Sequence, residues 1–348
     1  MTDPIPLLAA GDLFVRPDLM RAALAAQDDA AAWDVRQLAT EWPHDPFGKV
    51  GEVDEATGDE DAMIAALAGV RVCLTHLAPL TRRIIDACPD LRLFAVSRGG
   101  PVNTNLDAAT EHGITVTYAP GRNATATAEF AIGLILAAAR GIGRGHLEVT
   151  SGRWDAENFV YESSGLELEG ATVGIVGGGA IGSRVARILL GFGAHVLVHD
   201  PYAAADQLPA GVRLVGLDEL LANAQVVTLH ARVTPETTGM LDAARIAAMR
   251  PGSVLVNCAR GALVDHVALA AALRGGHLAA AGLDVYDVEP LPADHPLRDL
   301  PNLVTTPHLA GASRQVAERA AAMVAVEAGR WRRGEAPLNC ANPEVLDR

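Results

Sequence analysis

The chain has 348 residues, half of them hydrophobic, which allows one to three domains with a large core. Its formal net charge of −14 weighs against nucleic acid or an anionic membrane as the main partner. Cys73, Cys88, Cys258 and Cys340 show no C-x-x-C spacing and sit among mostly apolar residues, so reduced thiols in a cytoplasmic protein are expected. In chain order, residues 5–10 read as a short strand and 18–26 as a helix with Leu19, Ala22, Ala23 and Ala26 on one face. Residues 43–60 carry Pro, Gly and acids and read as loop. A helix at 61–67, a strand at 70–74, a helix at 80–87, a strand at 91–96, a short helix at 107–112 and a strand at 114–117 follow. This alternation implies a parallel α/β sheet and a first domain over residues 1–119.

Pro120-Gly121 marks a break, and 125–140 reads as a long apolar helix, too short to span a bilayer. Residues 141–169, polar and Gly-rich, read as a linking segment. A second α/β domain follows, with strands at 173–176, 195–199, 226–230, 253–259, 280–285 and 303–306 and helices at 183–192, 218–221 and 265–273. Residues 313–333 read as one long helix with no strand left to follow it, so it is expected to return to the first domain. Met1-Thr2-Asp3-Pro4-Ile5 lacks a basic n-region, so no signal peptide is expected.

The second domain opens with an apolar strand followed by Gly177-Gly178-Gly179-Ala180-Ile181-Gly182, which fits G-x-G-x-x-G. Gly177 allows a tight strand-to-helix turn, Gly179 lets a pyrophosphate approach the backbone, and Gly182 lets helix and strand pack closely. The helix after it, with apolar Val185, Ile188, Leu189 and Phe192, offers unpaired N–H groups to phosphates. A second strand ends at Asp200, roughly twenty residues on, where a carboxylate can bond an adenosine ribose. Strand, helix, strand and acid in this register point to dinucleotide binding.

Four polar clusters follow expected strands: Thr75-His76, Ser97-Arg98-Gly99-Gly100, Asn257-Cys258-Ala259-Arg260-Gly261 and Asp284 to Glu289. Ligands of open α/β sheets bind beyond the carboxyl ends of strands, so these positions face a common cleft if the two domains oppose each other. Alone, Arg260, Glu289 or His308 reads as a surface arginine, a turn acid or a structural histidine. Together they supply an anchor for an acid substrate, an orienting anion and a proton carrier. His230 ends a strand, where it either borders a cofactor or packs at the sheet edge. No metal site is expected: His195 and His199 lie on a strand, where roughly 3.3 Å per residue puts their Cα atoms about 13 Å apart.

With these residues the chain, from about Val70 to Ala312, resembles the D-isomer-specific 2-hydroxyacid dehydrogenase family. The resemblance rests on Ser97-Arg98-Gly99-Gly100, Pro120-Gly121-Arg122-Asn123-Ala124 with Ala128-Glu129, the glycine motif with Asp200, Asn257 to Gly261, Gly282 to Tyr286 through Glu289-Pro290, and Pro307 to Gly311. It implies an α/β fold of two parallel-sheet domains. A Rossmann NAD-binding domain (120–308) is inserted in a flavodoxin-like substrate domain (1–119 and 309–348), completed by the C-terminal helix. It implies NAD as cofactor, a small 2-hydroxy or 2-oxo acid as substrate, and a homodimer. Arg260 then binds the substrate carboxylate, His308 carries the proton, and Glu289 orients its ring. Gly177, Gly179, Ala180, Ile181, Gly182, Asp200, His230, Thr127, Ala259 and Asp284 lie along the cofactor. The substrate meets Thr75, His76, Arg98, Gly99, Gly100 and Arg260. The family's phosphoglycerate dehydrogenases often carry Arg-Ser where this chain has Thr75-His76, which weakens the case for a phosphorylated substrate. Arg232 and residues 101–105 also depart from the common pattern, and no regulatory domain is expected. An NAD-sensing corepressor of the same fold, binding peptides through a groove on the first domain, is the competing expectation; nothing in residues 1–60 suggests such a groove.

Overall fold

A computed structural model describes residues 3–27, 30–43 and 48–347; Met1, Thr2 and residues 44–47 of the expected 43–60 loop lie outside the described residues. The chain divides into two units, Met1–Arg122 with Ala312–Arg348, and Asn123–Gly311. Both boundaries fall three residues beyond those read from the sequence.

The first unit runs β1 (Ile5–Gly11), α1 (Pro17–Gln27), β2 (Trp33–Ala39), α2 (Glu60–Leu67), β3 (Val72–Thr75), α3 (Arg82–Ala87), β4 (Leu93–Val96), α4 (Leu106–Glu111) and β5 (Thr115–Thr117). Its five strands are parallel in the order β2-β1-β3-β4-β5. Leu8, Ala10, Cys73, Phe94 and Val96 pack on one side of this sheet against Met63, Leu67, Ile84 and Ile85. Leu7, Ala9, Val72, Leu74 and Leu93 pack on the other against Met20 and Leu24. Burial on both faces is why these strands read as apolar runs without alternation.

Two expectations are corrected here. The buried residues of α1 are Met20 and Leu24, while Ala22 and Ala26 are exposed. The larger side chains one turn apart set the face, and counting alanines misplaced it. Strand β2 was not expected at all. It is an edge strand of which Trp33 is the one buried residue, paired with β1 from Ile5↔Trp33 to Gly11↔Ala39.

The second unit begins with α5 (Ala124–Ala139) and α6 (Ile142–Thr150), then β6 (Thr172–Val176), α7 (Gly182–Gly191), β7 (His195–His199), β8 (Arg213–Leu214), α8 (Leu217–Asn223) and β9 (Val226–Leu229). It continues with α9 (Ala243–Ala248), β10 (Ser253–Asn257), α10 (His266–Arg274), β11 (Leu278–Leu283) and β12 (Leu303–Thr305). Its seven parallel strands are ordered β12-β11-β10-β9-β6-β7-β8. Helix α5 is the apolar run of the sequence, and Ala128, Ala131, Ile132 and Ile135 lie in the core beside Val173, Ile175 and Val256. Among the described residues no single helix is long and apolar enough to cross a membrane. The segment read as a linker holds α6 and two short 3-10 turns, Ala156–Phe159 and Tyr161–Ser163. Gly143 and Gly145 within α6 hid it from a propensity argument. Phe192, expected on the apolar face of α7, is its exposed C-cap residue.

After the second unit, α11 (Arg314–Arg332) starts at the Ser313 N-cap, whose side chain accepts from the Val316 N–H. Its Ala317, Ala320, Ala321 and Val324 complete the first unit's core on the Met20 and Leu24 side. Beyond it, Asn342 accepts from the Val116 N–H and so fastens the C-terminal segment to β5.

Candidate active site

The glycine turn after β6 has a distinct reason for each residue. Gly177 adopts φ of 99°, and a Cβ there would fall 2.7 Å from Ala231 N. A Cβ on Gly182 would fall 1.9 Å from the Gly177 carbonyl oxygen, so the helix start and the turn touch backbone to backbone. A Cβ on Gly179 would meet nothing within 4 Å, and Gly179 and Ala180 are exposed while Ile181 is half-buried. The turn therefore presents open backbone at the start of α7, where first-turn N–H groups lack helical partners. Asp200, just past β7, accepts from the Gly178 N–H at 2.8 Å and the Tyr202 N–H at 2.9 Å. Its carboxylate is thereby fixed beside the turn.

Three side chains at the ends of neighbouring strands form the second half of the site. After β10, buried Asn257 closes the turn by accepting from the Ala259 N–H and donating to the Arg260 carbonyl, both at 2.9 Å. That turn exposes Arg260, whose guanidinium donates to the Ala259 carbonyl. Gly261 follows because nothing larger fits: a Cβ would lie 1.9 Å from the Tyr286 carbonyl carbon. After β11, the Tyr286 hydroxyl donates to the Thr306 carbonyl at 3.0 Å, and the Tyr286 N–H donates to Glu289 Oε1 at 2.9 Å. The other oxygen of Glu289 lies 2.7 Å from His308 Nδ1.

His308 holds a left-handed backbone, φ of 53°, which costs a non-glycine residue about 1 kcal/mol or more. Asp284 is what imposes it. The Asp284 carbonyl accepts from the His308 N–H, and its carboxylate takes Thr306 Oγ1 at 2.6 Å, the Leu309 N–H at 2.7 Å and the Ala310 N–H at 2.8 Å. Asp284 was expected along the cofactor. Its side chain is fully buried, and these donors make it brace the loop that carries His308.

The charges in this cluster are coupled. The hydrogen bond His308 makes to Glu289 raises the pKa of His308; burial opposes this, Coulomb attraction to Glu289 and Asp284 adds to it, and Arg260 works against it. Burial alone would raise Glu289, but the His308 hydrogen bond, the Tyr286 N–H and the charges of His308 and Arg260 outweigh it and hold its pKa below the usual carboxylate value. The arrangement favours an imidazolium paired with a carboxylate. Its Nδ1 is committed to Glu289, which leaves Nε2 as the nitrogen able to give or take a proton.

The remaining expected residues fall in both units. His230, just past β9, contacts Thr228 Oγ1 through Nε2 at 3.0 Å, and burial pushes its pKa down to about 4, so the ring is neutral. Its Nδ1 and the Thr127 hydroxyl in the first turn of α5 are buried with no hydrogen-bond partner, two polar atoms that a bound ligand would satisfy. Ala259 is half-buried in the turn before Arg260. Thr75, His76, Arg98, Gly99 and Gly100 belong to the first unit, after β3 and β4. Thr75 and His76 are buried, and Arg98 pairs with Glu55. The roles of Asn257, Gly261 and Tyr286 as braces were not read from the sequence. The one available signal was a glycine directly after the candidate arginine.

A histidine–carboxylate group that spacing could not reveal joins α10 to the Asp287 turn. His266 Nδ1 and His295 Nε2 lie 2.9 and 3.1 Å from Asp287 Oδ1. Their ligand atoms lie within 4.8 Å of one another, close enough for a metal ion, which the sequence reading had not expected anywhere. With Gly261, the group pins the turn two residues before Glu289.

An open glycine turn at a helix start, a carboxylate beside it, and arginine, histidine and glutamate at adjacent strand ends define a dinucleotide-dependent oxidoreductase-type α/β unit. Residues 132–310 match the family model for the NAD binding domain of the D-isomer specific 2-hydroxyacid dehydrogenases. The chain is 38% identical over 293 residues to a glyoxylate reductase of Korarchaeum cryptofilum, covering 84% of this chain and 86% of that one. It is 40% identical over 269 residues to a D-3-phosphoglycerate dehydrogenase of Mycobacterium leprae, covering 77% of this chain and 50% of that one. It thus spans about half the length of the curated phosphoglycerate dehydrogenases it matches. The TT0316 protein of Thermus thermophilus superposes with a TM-score of 0.78 at 33% identity, over 96% of this chain and 99% of that one. The protein belongs to the D-isomer-specific 2-hydroxyacid dehydrogenase family.

Proposed function

We propose that the protein is an NAD-dependent enzyme interconverting a D-2-hydroxy acid and its 2-oxo acid. The observation that carries this is the 2.7 Å His308–Glu289 pair beside Arg260, at strand ends of the same unit as the open glycine turn. Bound NAD would supply the hydride acceptor or donor, held at Gly177 to Gly182 and Asp200. The fit rests on the space over Gly179 and on the unpartnered His230 Nδ1 and Thr127 hydroxyl. Asp200 repels a ribose 2′-phosphate, so NAD is preferred over NADP.

Arg260 anchors the substrate carboxylate through paired N–H donors and draws charge toward the 2-oxo oxygen. His308 Nε2 gives its proton to that oxygen in reduction and takes it back in oxidation. Glu289 holds the ring and stabilises its cation. Thr75, His76, Arg98, Gly99 and Gly100, past β3 and β4 of the first unit, are the further candidates for substrate contact.

The test is a panel of 2-oxo acids with NADH and NADPH. Turnover with NADH is expected, and His308→Ala should lower kcat by roughly 100-fold or more. Tight NADH binding with no turnover of any 2-oxo acid would sink the proposal, and an unaltered kcat would remove His308 from the proton step.

We also propose that two copies of the chain pair through the segment around α6. Trp154, Phe159 and Tyr161 are 85%, 87% and 89% exposed there, beside exposed Ile142, Leu147 and Val149. So dense an apolar patch marks an interaction surface.

A further inference from the structure

His266, Asp287 and His295 gather within the second unit from three places: the first residue of α10, the turn after β11, and the loop that leads on to β12. The side chains of His266 and His295 are 1% and 8% exposed, while that of Asp287 is about half exposed. Two buried imidazoles therefore face a carboxylate that opens to solvent. Asp287 Oδ1 lies 2.9 Å from His266 Nδ1 and 3.1 Å from His295 Nε2, and one ligand atom from each residue lies within 4.8 Å of the other two. Bonds of about 2.0 to 2.2 Å in a tetrahedral zinc site set neighbouring ligand atoms roughly 3.3 to 3.6 Å apart. A small outward movement of the half-exposed Asp287 brings the three atoms to that spacing.

Protein donors and acceptors do not satisfy this group. His266 Nδ1 faces both Asp287 Oδ1, which needs a donor, and the Asp287 N–H at 3.3 Å, which needs a lone pair. A ring nitrogen answers only one of them. His266 Nε2 is buried and has no hydrogen-bond partner. Buried polar atoms are normally paired, so an orphan beside a conflicted contact calls for a cause. Asp287 Oδ1 also takes the Val288 N–H at 3.0 Å, whereas its Oδ2 has no hydrogen bond among the described residues. No arginine or lysine among the described residues pairs with Asp287. Coordination gives up the two longest contacts of the group, Asp287 N–H to His266 Nδ1 and Leu297 N–H to His295 Nδ1, both 3.3 Å. It gains three bonds to an ion, and the ring protons then sit on His266 Nε2 and His295 Nδ1.

We propose that His266, Asp287 and His295 bind one divalent transition-metal ion through His266 Nδ1, a carboxylate oxygen of Asp287 and His295 Nε2, with water completing the shell on the open Asp287 side. Two imidazoles and one carboxylate select Zn2+, Co2+ or Ni2+, whereas Mg2+ and Ca2+ take oxygen ligands. The ion clasps the start of α10 to the turn after β11 and to the loop before β12, so it staples three segments of the second unit. The site does not depend on the 2-hydroxy acid reading of the function.

The experiment uses the full chain without an affinity tag, stripped with EDTA and dialysed. Calorimetric titration with Zn2+ should show one ion per chain with a Kd that is roughly micromolar or tighter. Zn2+ at about 100 times that Kd should raise the Tm by several degrees, and Mg2+ or Ca2+ at the same concentration should not. His266→Gln and His295→Gln should each weaken binding by about 100-fold or more, and Asp287→Asn by about tenfold or more. Zn2+ binding that these folded variants lose sustains the site. No binding by the wild type, equal binding by the variants, or a preference for Mg2+ or Ca2+ overturns it. If the histidine variants do not fold, diffraction at the zinc absorption edge from wild-type crystals grown with Zn2+ decides. An anomalous peak about 2.0 to 2.2 Å from the three ligand atoms sustains the site, and a peak only elsewhere, or none, overturns it. Each readout is independent of turnover, so the dehydrogenase reading stands or falls on its own assay.

Discussion

The His308–Glu289 pair gives the sharpest quantitative test, through Glu289→Gln. The substitution keeps the shape of the side chain but removes the charge and replaces one of its two acceptor oxygens with an amide donor. Two unit charges about 4 Å apart interact by about 1 kcal/mol in bulk water and about 4 kcal/mol at an effective dielectric of 20. The side chains of His308 and Glu289 are 49% and 30% exposed, so solvent screening places this pair near the lower figure. At 1.36 kcal/mol per pH unit, losing about 1 to 1.5 kcal/mol lowers the pKa of His308 by about one unit. Reduction needs the protonated ring, so its kcat/KM is flat below that pKa and falls above it. In Glu289→Gln the falling limb should move about one unit toward acid, giving roughly tenfold slower reduction on the alkaline side. Oxidation needs the neutral ring, so its rising limb should move the same way and the variant should oxidise better than expected at low pH. Stability carries a matching signature. His308, with a raised pKa, contributes stability that is complete below about 6.5 and lost as pH rises through its folded value. Glu289, with a lowered pKa, contributes stability that is complete above about 4.3 and lost as pH falls through its folded value. The deficit of the variant should be largest between those limits. A reduction limb that stays in place, or moves toward alkali, refutes the assignment.

Three other perturbations separate support from chemistry. Gly179→Ala has open space for its methyl and should keep its Tm while weakening NADH binding, read by fluorescence titration. Gly261→Ala, whose Cβ would lie 1.9 Å from Tyr286, should destabilise by about 3 kcal/mol or more. Asp284→Ala strips acceptors from three donors, and urea denaturation should show a loss of about 3 kcal/mol or more together with a depressed kcat. Trp154→Asp with Phe159→Asp should turn a dimer into a monomer by light scattering; an unchanged mass would place the subunit contact elsewhere.

Much of the fold was legible because both sheets are parallel and buried on both faces, so β1, β3, β6 and β10 stand out as apolar runs bounded by turns. The elements that escaped lacked that signal. Strand β2 lies at an edge with one buried residue, β8 has two residues, and α6 contains two glycines and buries none of its residues. The glycine turn was readable because each glycine answers a separate steric demand that spacing encodes. The braces of the Arg260, Glu289 and His308 cluster were not, because they depend on approaches between distant turns. Gly261 meets Tyr286, and His266 meets Asp287 and His295, across separations that no local pattern records.

Asp284 shows how much of a residue's work a sequence motif leaves unread. It follows a strand in a cofactor-type unit, so a ligand contact is the natural reading of an acid there. In the fold its carbonyl and both carboxylate oxygens face the chain segment from Thr306 to Ala310. That segment must place a histidine in a backbone region its Cβ disfavours. Three N–H groups, that of His308 among them, and a hydroxyl converge on Asp284 to hold it there. Glu289 then needs only to orient a ring whose backbone is already set, which is why the two acids are not interchangeable. Asp284 decides where the ring stands, and Glu289 decides which nitrogen carries the exchangeable proton.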